Sequence, residues 1–217
     1  DKAKILVEDL KSGKNIALVT DAGTPGISDP GEELVRFCLE AGIEVTSLPG
    51  PAACITALTM SGLSTRRFCF EGFLPMDKKE REVVLERLQR ETRTTIFYEA
   101  PHRLLKTLKV LQETAGNRRL TICKELTKRH EKTWPTCLEE AIEWYETNEP
   151  RGEYVLVLEG ADAKALKEEE QAAWESLSIE EHMGIYLSKG QTKKEAMKSV
   201  ASDRGMTKRE VYQYLLH

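Results

Sequence analysis

A loop rich in glycine and proline is the first feature of this sequence that could hold a small ligand. Residues 20–31 (TDAGTPGISDPG) directly follow a short apolar run at residues 16–19. In an open α/β sheet, ligands bind just beyond the carboxyl ends of strands, and glycines let the backbone approach them closely. The loop is therefore a candidate binding loop, although a stiff turn that only connects two elements would have a similar composition.

Two further segments repeat this arrangement. Residues 48–53 (LPGPAA) end a second predicted strand, and residues 97–103 (FYEAPHR) end a third. The small side chains of Ala52 and Ala53 leave space for a flat ring against the backbone. Three such loops at one edge of a sheet predict a pocket.

Several common ligand classes do not fit these segments. The loop at residues 20–31 has neither the Gly-x-Gly-x-x-Gly pattern of dinucleotide sites nor the Gly-Lys-Ser/Thr ending of phosphate loops. The four histidines have no spacing that would gather metal ligands on one helical face, so we expect no metal. The five cysteines are widely spaced and form no Cys-x-x-Cys pair, which is typical of reduced residues in a cytoplasmic protein.

Alternating strand and helix patterns must position these loops. Short runs rich in valine, isoleucine, threonine and aromatics predict strands at residues 15–19, 43–48, 94–98, 120–125 and 154–158. Helical patterns fall at residues 32–41, 52–61, 77–91, 101–114 and 138–147. The alternation predicts an α/β fold with a mostly parallel sheet covered by helices.

The C-terminal part of the chain has a different pattern. An acidic stretch at residues 164–175 is either a helix or a mobile linker. Three capping boxes then begin short helices, formed by Ser178 with Glu181, Thr192 with Glu195 and Thr207 with Glu210. The last two helices and the turn at residues 203–206 resemble a helix-turn-helix unit, in which Lys208 and Arg209 would contact phosphates or bases. The alternative is a small packing module for dimer contacts.

Composition limits the class of protein. The chain has 217 residues, 40% hydrophobic and 31% charged, which is typical of a globular protein rather than a disordered one. The longest apolar runs are far shorter than the roughly 20 residues that cross a bilayer, so we expect no membrane association. A net charge of −4 excludes general coating of nucleic acid but leaves local contacts open.

Six motifs in this order resemble the ribosomal RNA small-subunit methyltransferase I branch of the tetrapyrrole-methylase superfamily. They are residues 20–31, 49–53 (PGPAA), 70–75 (FEGFLP), 97–103, 125–128 (ELTK) and 152–160 (GEYVLVLEG). The resemblance implies a two-lobed, tetrapyrrole-methylase-like fold, commonly dimeric. It also implies methylation of a cytidine ribose 2'-hydroxyl in small-subunit rRNA, with S-adenosylmethionine as cofactor. Its domains are then expected at residues 1–70 and 71–163, followed by the acidic linker and helical module at residues 164–217.

The resemblance also assigns the cofactor contacts by position. Gly23, Thr24 and Ile27 match the superfamily's cofactor loop, and Thr24 stands where corrin and porphyrin relatives carry an acid. The remaining expected contacts are Asp21 in the same loop, Ala52 and Ala53 at the adenosine, Tyr98 in the pocket wall, and Glu153 at the start of the last strand. The family's first strand and the loop after it have no counterpart, so we expect a chain that lacks the N-terminal part of the family pattern.

Transfer of a methyl group to a ribose hydroxyl requires removal of the hydroxyl proton. The polar groups nearest the predicted pocket rim are Glu99, Glu125, Lys128, Arg129, His130 and Glu131. Lys128 is the candidate base if burial or neighbouring cations lower its pKa, and Glu125 would orient it. A solvated helix start with locally paired charges is the alternative. Arg103 is expected to position an RNA phosphate, because a guanidinium suits bidentate contacts.

Two other functions remain open from the residues. One is methylation of a corrin- or porphyrin-type small molecule, and the other is a nucleic-acid-binding regulator with an α/β ligand domain. Two features favour RNA over a corrin ring as the substrate. Thr24 stands where corrin and porphyrin relatives carry an acid, and the C-terminal helices are basic. The expected partners are therefore small-subunit rRNA or the 30S subunit, and a second copy of the chain.

Overall fold

The computed structural model describes residues 2–215, apart from the side chain of residue 175, so the last two residues of the predicted C-terminal module lie outside it. The chain forms two compact units, one ending at Gly160 and one beginning at Ala161. The first unit contains α1 (Lys2–Lys11), α2 (Glu32–Glu40), α3 (Ala53–Met60), β1 (Phe68–Phe73), α4 (Lys78–Arg90), β2 (Thr94–Glu99), α5 (Leu104–Ala115), β3 (Arg119–Lys124), β4 (Lys132–Cys137), α6 (Leu138–Thr147) and β5 (Tyr154–Leu158). The second contains α7 (Ala163–Glu175), α8 (Ile179–Ser188), α9 (Lys193–Asp203) and α10 (Lys208–Tyr214).

One five-stranded sheet, in the order β1-β2-β5-β3-β4, organises the first unit. Only β1 and β2 are parallel, whereas β5 is antiparallel to both β2 and β3, and β4 is antiparallel to β3. The α/β class is confirmed, but the prediction of a mostly parallel sheet is wrong. The reason is that β4, absent from the predicted strands, closes a hairpin with β3, while β5 inserts between β2 and β3 in the opposite direction.

The two N-terminal strand predictions are also wrong. Residues 15–19 and 43–48 form no strand in the described structure, and Val19 and Leu48 are 80% and 83% exposed. An apolar run becomes a strand only where a neighbouring strand pairs with its backbone amides and carbonyls. Within residues 2–215 these segments have no such neighbour. They are irregular connections that lead into the loops at residues 20–31 and 49–52.

Both faces of the sheet are covered, because successive side chains of a strand point to opposite sides. On one face, Phe97 packs in a cluster with Leu108 of α5 and Leu138 of α6. On the other face, Ile96 and Val157 pack against α3. A shift of one residue in β2 would exchange the two sets, so burial fixes the strand register and with it the positions of the strand ends.

The helix starts follow local rules. All three predicted capping boxes are present, at Ser178, Thr192 and Thr207, and each hydroxyl accepts a hydrogen bond from the third residue of its helix. The acidic stretch after Gly160 forms α7 rather than an unstructured linker, with Asp162 capping its first turn. Among the described residues, no helix has the length and apolar composition needed to cross a bilayer.

A buried histidine lies in the second unit. The His182 ring stacks on Trp174 with 3.9 Å between ring centroids. Nδ1 of His182 accepts a hydrogen bond from Nε of Arg204 at 3.1 Å, and Nε2 lies 3.2 Å from Oδ2 of Asp203. Because a guanidinium can only donate, Nδ1 carries no proton and Nε2–H faces Asp203. Burial, followed by the charge of Arg204, lowers the pKa of His182.

Candidate functional site

Four strand ends meet at one edge of the sheet. In the register, Phe73 of β1 lies beside Tyr98 of β2, and Glu99 pairs with Tyr154 at the start of β5. Lys124, at the end of β3, also pairs with Tyr154. The segments that follow β1, β2 and β3 and the segment that precedes β5 therefore lie at this edge.

The loop at residues 20–31 docks on Pro51, just before α3. The Thr24 backbone N–H and hydroxyl both donate to the Pro51 carbonyl, at 2.9 and 3.2 Å. Two glycines make this approach possible: a Cβ at Gly23 would lie 3.0 Å from the Pro51 carbonyl oxygen, and one at Gly50 would lie 2.9 Å from the Thr24 hydroxyl. The fold therefore brings Gly23 and Thr24 close to Ala52.

Tyr98 links the end of β2 to the start of α3. Its hydroxyl oxygen accepts a hydrogen bond from the backbone N–H of Cys54 at 3.0 Å. Its ring makes edge contacts with Phe70 and Phe73, with centroid distances of 4.9 and 5.9 Å. Burial, with smaller effects from Cys54 and Asp29, raises the pKa of Tyr98 to about 12. Tyr98 is thus a neutral phenol at neutral pH, and its hydroxyl links the end of β2 to Cys54, which follows Ala53 at the start of α3.

The other expected cofactor residues are accessible. Asp21, Ile27 and Ala53 are exposed, and Ala52 is half-buried. The carboxylate of Asp21 accepts one hydrogen bond, from the adjacent Thr20 hydroxyl at 3.1 Å. Exposed carboxylate, small and apolar groups of this kind can meet a ligand without first breaking a buried contact.

A lysine between two carboxylates lies where β3 ends and β5 begins. Nζ of Lys128 is 2.7 Å from Oε2 of Glu153 and 3.2 Å from Oε1 of Glu125. The two glutamates are also joined directly, because Oε1 of Glu125 accepts from the Glu153 N–H at 2.8 Å and the Glu125 N–H donates to the Glu153 carbonyl at 2.9 Å. The structure therefore brings the two predicted catalytic residues together with a predicted cofactor residue.

Backbone strain is concentrated in this cluster. Glu125 and Thr127 have φ values of 51° and 62°, a conformation that non-glycine residues rarely adopt. Gly152 has φ 83°, and a Cβ there would lie 2.6 Å from Cγ of Glu125. Such strain persists only where surrounding contacts hold it, and it is common at functional sites.

The charges in the cluster stabilise one another. The Glu153 backbone N–H, and then Lys128, lower the pKa of Glu125. Hydrogen bonds to Glu153 and then to Glu125 raise the pKa of Lys128. The lowered pKa on which the base hypothesis depended is therefore not found here, because the neighbours of Lys128 are anions. In this arrangement Lys128 is an ammonium at neutral pH.

Arg103 and Glu99 form a buried contact behind the sheet edge. The fully buried Glu99 carboxylate accepts from the Thr107 hydroxyl at 2.5 Å and from the Ala100 N–H at 2.8 Å. Nε of Arg103 lies 3.5 Å from this carboxylate, and Nη2 donates to the Leu74 carbonyl at 2.5 Å. Part of the Arg103 guanidinium thus holds the segment after β1, and only its remaining N–H groups are open to a phosphate.

Lys208 and Arg209 lie in the first turn of α10 and are exposed. Neither has an ion-pair partner among the residues described. The same unit contains a cleft of about 570 Å³ beside α9, lined in part by Lys189, Lys198 and Ser202. The second unit therefore presents positively charged side chains at two places, the first turn of α10 and the cleft beside α9.

Two contributors to the site were not identified from the sequence. Pro51 acts through its carbonyl, and no side-chain pattern reveals that contact. Phe73 was part of a recognised motif, but no strand was predicted there, so its position at the end of β1 became visible only in the structure. Within residues 2–215, no group of three or more histidine, cysteine, aspartate or glutamate side chains could hold a metal ion.

Residues 1–142 match the protein family described as tetrapyrrole (corrin/porphyrin) methylases. The chain is also similar to the ribosomal RNA small subunit methyltransferase I of Bacillus subtilis, with 48% identity over 95% of this chain and 70% of that protein. The protein of the same name from Synechocystis is 45% identical over 97% of this chain and 74% of its own length.

Solved structures of more distant proteins share the fold. The methyltransferase CobJ superimposes with a TM-score of 0.57 at 22% identity, covering 74% of this chain and 71% of CobJ. A uroporphyrin-III C-methyl transferase from Thermus thermophilus, complexed with S-adenosyl homocysteine, superimposes with a TM-score of 0.51 at 20% identity, covering 72% and 71%. At these identities the likeness concerns the fold alone.

Proposed function

The chain belongs to the tetrapyrrole (corrin/porphyrin) methylase family, and from this premise we propose that it transfers a methyl group from S-adenosylmethionine to RNA of the small ribosomal subunit. The family resemblance expected from the six motifs is confirmed. We further propose a cytidine ribose 2'-hydroxyl as the acceptor, a homodimer as the active form and the cytoplasm as the location.

One observation carries the choice of an RNA substrate. Identity of 45–48% with the two rRNA methyltransferases extends over at least 95% of the chain, and so includes most of the helical second unit. The two solved structures described above, CobJ and the uroporphyrin-III C-methyl transferase, cover only 74% and 72% of the chain, at 22% and 20% identity. The second unit also supplies Lys208 and Arg209, which we propose contact RNA phosphates, and we propose the same role separately for Arg103 in the first unit.

The residues around Pro51 fit S-adenosylmethionine. Gly23 and Gly50 leave backbone accessible where side chains would collide with Pro51 or Thr24, and Ala52 adds little bulk. When bound, this cofactor supplies an electrophilic methyl group on a sulfonium. We propose that Asp21, Gly23, Thr24, Ile27, Ala52, Ala53, Tyr98 and Glu153 hold it.

We propose that Lys128 removes the ribose proton and that Glu125 orients it. The neighbouring carboxylates raise the pKa of Lys128, and one of them, Glu153, contacts it through a side chain that is 80% exposed. Loss of that contact on substrate binding would lower the pKa of Lys128. The hypothesis requires activity to increase as pH rises.

The test is methyl transfer to small ribosomal subunits from cells that lack the homologous enzyme. The protein is incubated with labelled S-adenosylmethionine and these subunits, and the modified nucleotide is mapped by mass spectrometry. We expect one 2'-O-methylated cytidine. Label transferred to a porphyrinoid but not to subunits or their rRNA contradicts the proposal, and bound cofactor without any transfer favours a regulatory role instead.

A further inference from the structure

Phe73 is a large aromatic residue that the fold leaves half exposed. It ends β1, and 49% of its surface is accessible although the following residue, Leu74, is buried. It belongs to the motif at residues 70–75, to which the proposed methyl transfer assigns no role. A ring exposed to this extent has a free face that a flat ligand can contact.

Its surroundings place Phe73 within the candidate site. Phe73 pairs with Tyr98 in the β1–β2 register, and the rings meet at 71° with 5.9 Å between centroids. The preceding Gly72 adjoins the proposed cofactor loop, since a Cβ on it would lie 3.5 Å from the Ser28 hydroxyl. Phe73 therefore contacts Tyr98 and directly follows the residue that adjoins this loop.

Two arginines hold the segment that follows. Arg103 donates to the Leu74 carbonyl, and Nη1 of Arg81 donates to the carbonyls of Pro75 and Met76 at 3.2 and 3.0 Å. These bonds fix the backbone directly after Phe73 and place two cations near it. Met76 is 80% exposed and adds apolar surface to the same segment.

We propose that Phe73 is a substrate-contacting residue on which an unpaired nucleobase of the RNA stacks. This inference rests on the proposed function. Single-stranded RNA is recognised by stacking of splayed bases on aromatic side chains, with cations meeting the flanking phosphates. A half-exposed ring on a fixed backbone, beside Arg81 and Arg103, has these properties. The adenine of the cofactor is a base of the same chemistry, but its proposed place is beside Ala52 and Ala53.

The experiment compares Phe73→Ala and Phe73→Trp with Phe68→Ala. Phe68 is a matched control, because it lies on the same strand at the opposite end and is 37% exposed. Methyl transfer to small subunits gives KM and kcat, and calorimetry gives the affinity for S-adenosylhomocysteine. We expect Phe73→Ala to raise KM for subunits by roughly 5- to 100-fold with cofactor affinity unchanged. Phe73→Trp should retain the wild-type KM, as should Phe68→Ala.

A second measurement does not depend on methyl transfer. A single-stranded RNA oligonucleotide carrying 2-aminopurine loses fluorescence when that base stacks. We expect quenching by the wild type and by Phe73→Trp, and none by Phe73→Ala at protein concentrations that saturate binding. If the wild type methylates no subunits, the proposed function fails, and the oligonucleotide still decides the role of Phe73.

Three outcomes would overturn the inference. The first is equal KM values for Phe73→Ala and Phe68→Ala. The second is a loss of S-adenosylhomocysteine affinity in Phe73→Ala as large as the change in KM, which would assign the ring to the cofactor. The third is full quenching of 2-aminopurine by Phe73→Ala. Urea unfolding of each variant shows whether a change in KM reflects misfolding.

Discussion

The hydroxyl of Tyr98 accepts a hydrogen bond from the backbone N–H of Cys54 at 3.0 Å. The first N–H groups of a helix have no partner within the helix, so this contact satisfies one of those at the start of α3. The same tyrosine lies at the end of β2. Together with the packing of α3 against Ile96 and Val157, this side chain fixes the segment carrying Ala52 and Ala53 relative to the ends of the strands.

Replacement of Tyr98 by Phe removes this acceptor and leaves the Cys54 N–H unpaired in a partly buried position. We expect the free energy of unfolding to fall by about 1 kcal/mol. Affinity for S-adenosylhomocysteine should fall as well, because the start of α3 loses the hydrogen bond that ties it to β2. Urea unfolding and calorimetry measure the two effects. Tyr212→Phe, at an exposed tyrosine, is the control, and an equal effect in both variants would remove the special role of Tyr98.

The pH dependence of methyl transfer tests Lys128. Since Glu153 and Glu125 raise its pKa, only a small fraction is neutral at pH 7, and that fraction grows tenfold for each unit of pH. We expect log(kcat/KM) to rise with a slope near one between about pH 7 and 9. In Lys128→Met the rate should fall by roughly 100-fold or more and the slope should disappear.

Replacing Lys128 with arginine distinguishes a general base from a side chain that supplies only positive charge. Lys128→Arg keeps a cation between the two glutamates, but a guanidinium does not lose its proton in proteins. We expect it to be as inactive as Lys128→Met. Near wild-type activity in Lys128→Arg would show that Lys128 supplies only positive charge.

Gly152 should tolerate no side chain. In Gly152→Ala the new methyl group meets Glu125 at 2.6 Å and the residue keeps a φ of 83°. Gly13→Ala is a matched control, because Gly13 has φ 92° but no atom within 4 Å of a Cβ. We expect Gly13→Ala to cost about 1 kcal/mol of stability from backbone strain alone, and Gly152→Ala to cost more. Only the latter should lose methyl transfer, and similar activity in the two variants would argue against Glu125.

Acid should destabilise the second unit through His182. Its pKa in the folded state lies below that in the unfolded chain, which is about 6.5. The unfolded state therefore binds more protons below that pH, so the stabilisation is complete above it and is lost as pH falls towards the folded pKa. Around the ring, Arg204 opposes protonation, whereas Asp203 favours it. Tyr186 also donates to Asp203, and Trp174 covers one ring face.

Fluorescence of Trp174, recorded in a Trp134→Phe/Trp144→Phe background, follows thermal unfolding near this ring. We expect a lower Tm at pH 5.5 than at pH 7.5. His182→Phe can still stack on Trp174 but binds no proton, so its Tm should change less between the two pH values. An equal change in both proteins would assign the pH dependence to other groups.

Salt dependence tests the proposed RNA contacts of α10. If Lys208 and Arg209 meet phosphates, replacing either by Ala should weaken RNA binding and reduce the slope of log affinity against log salt by about 0.7 to 0.9. Lys164→Ala is the control, because Lys164 pairs with Glu168 on α7. Filter binding at several salt concentrations gives the slopes. If the slopes of the Lys208 and Arg209 variants equal that of the wild type, these side chains do not contact RNA phosphates.

Features set by neighbouring residues could be predicted from the sequence. The capping pairs of α8, α9 and α10 are three residues apart, and the apolar runs of β2, β3 and β5 identify strands that are buried. The loop at residues 20–31 and its companion motifs were likewise recognisable because glycine, proline and alanine impose their backbone effects locally. The family follows from these segments.

Only the tertiary structure decided which distant groups meet. Residues 15–19 look like a strand but pair with no other segment of the described structure, and strand pairing is a property of two segments. Tyr98 and Cys54 are 44 residues apart in the chain, and Lys128 and Glu153 are 25 apart. The sign of a pKa shift depends on such neighbours, because a charge acts through space over a few ångströms whatever its position in the sequence.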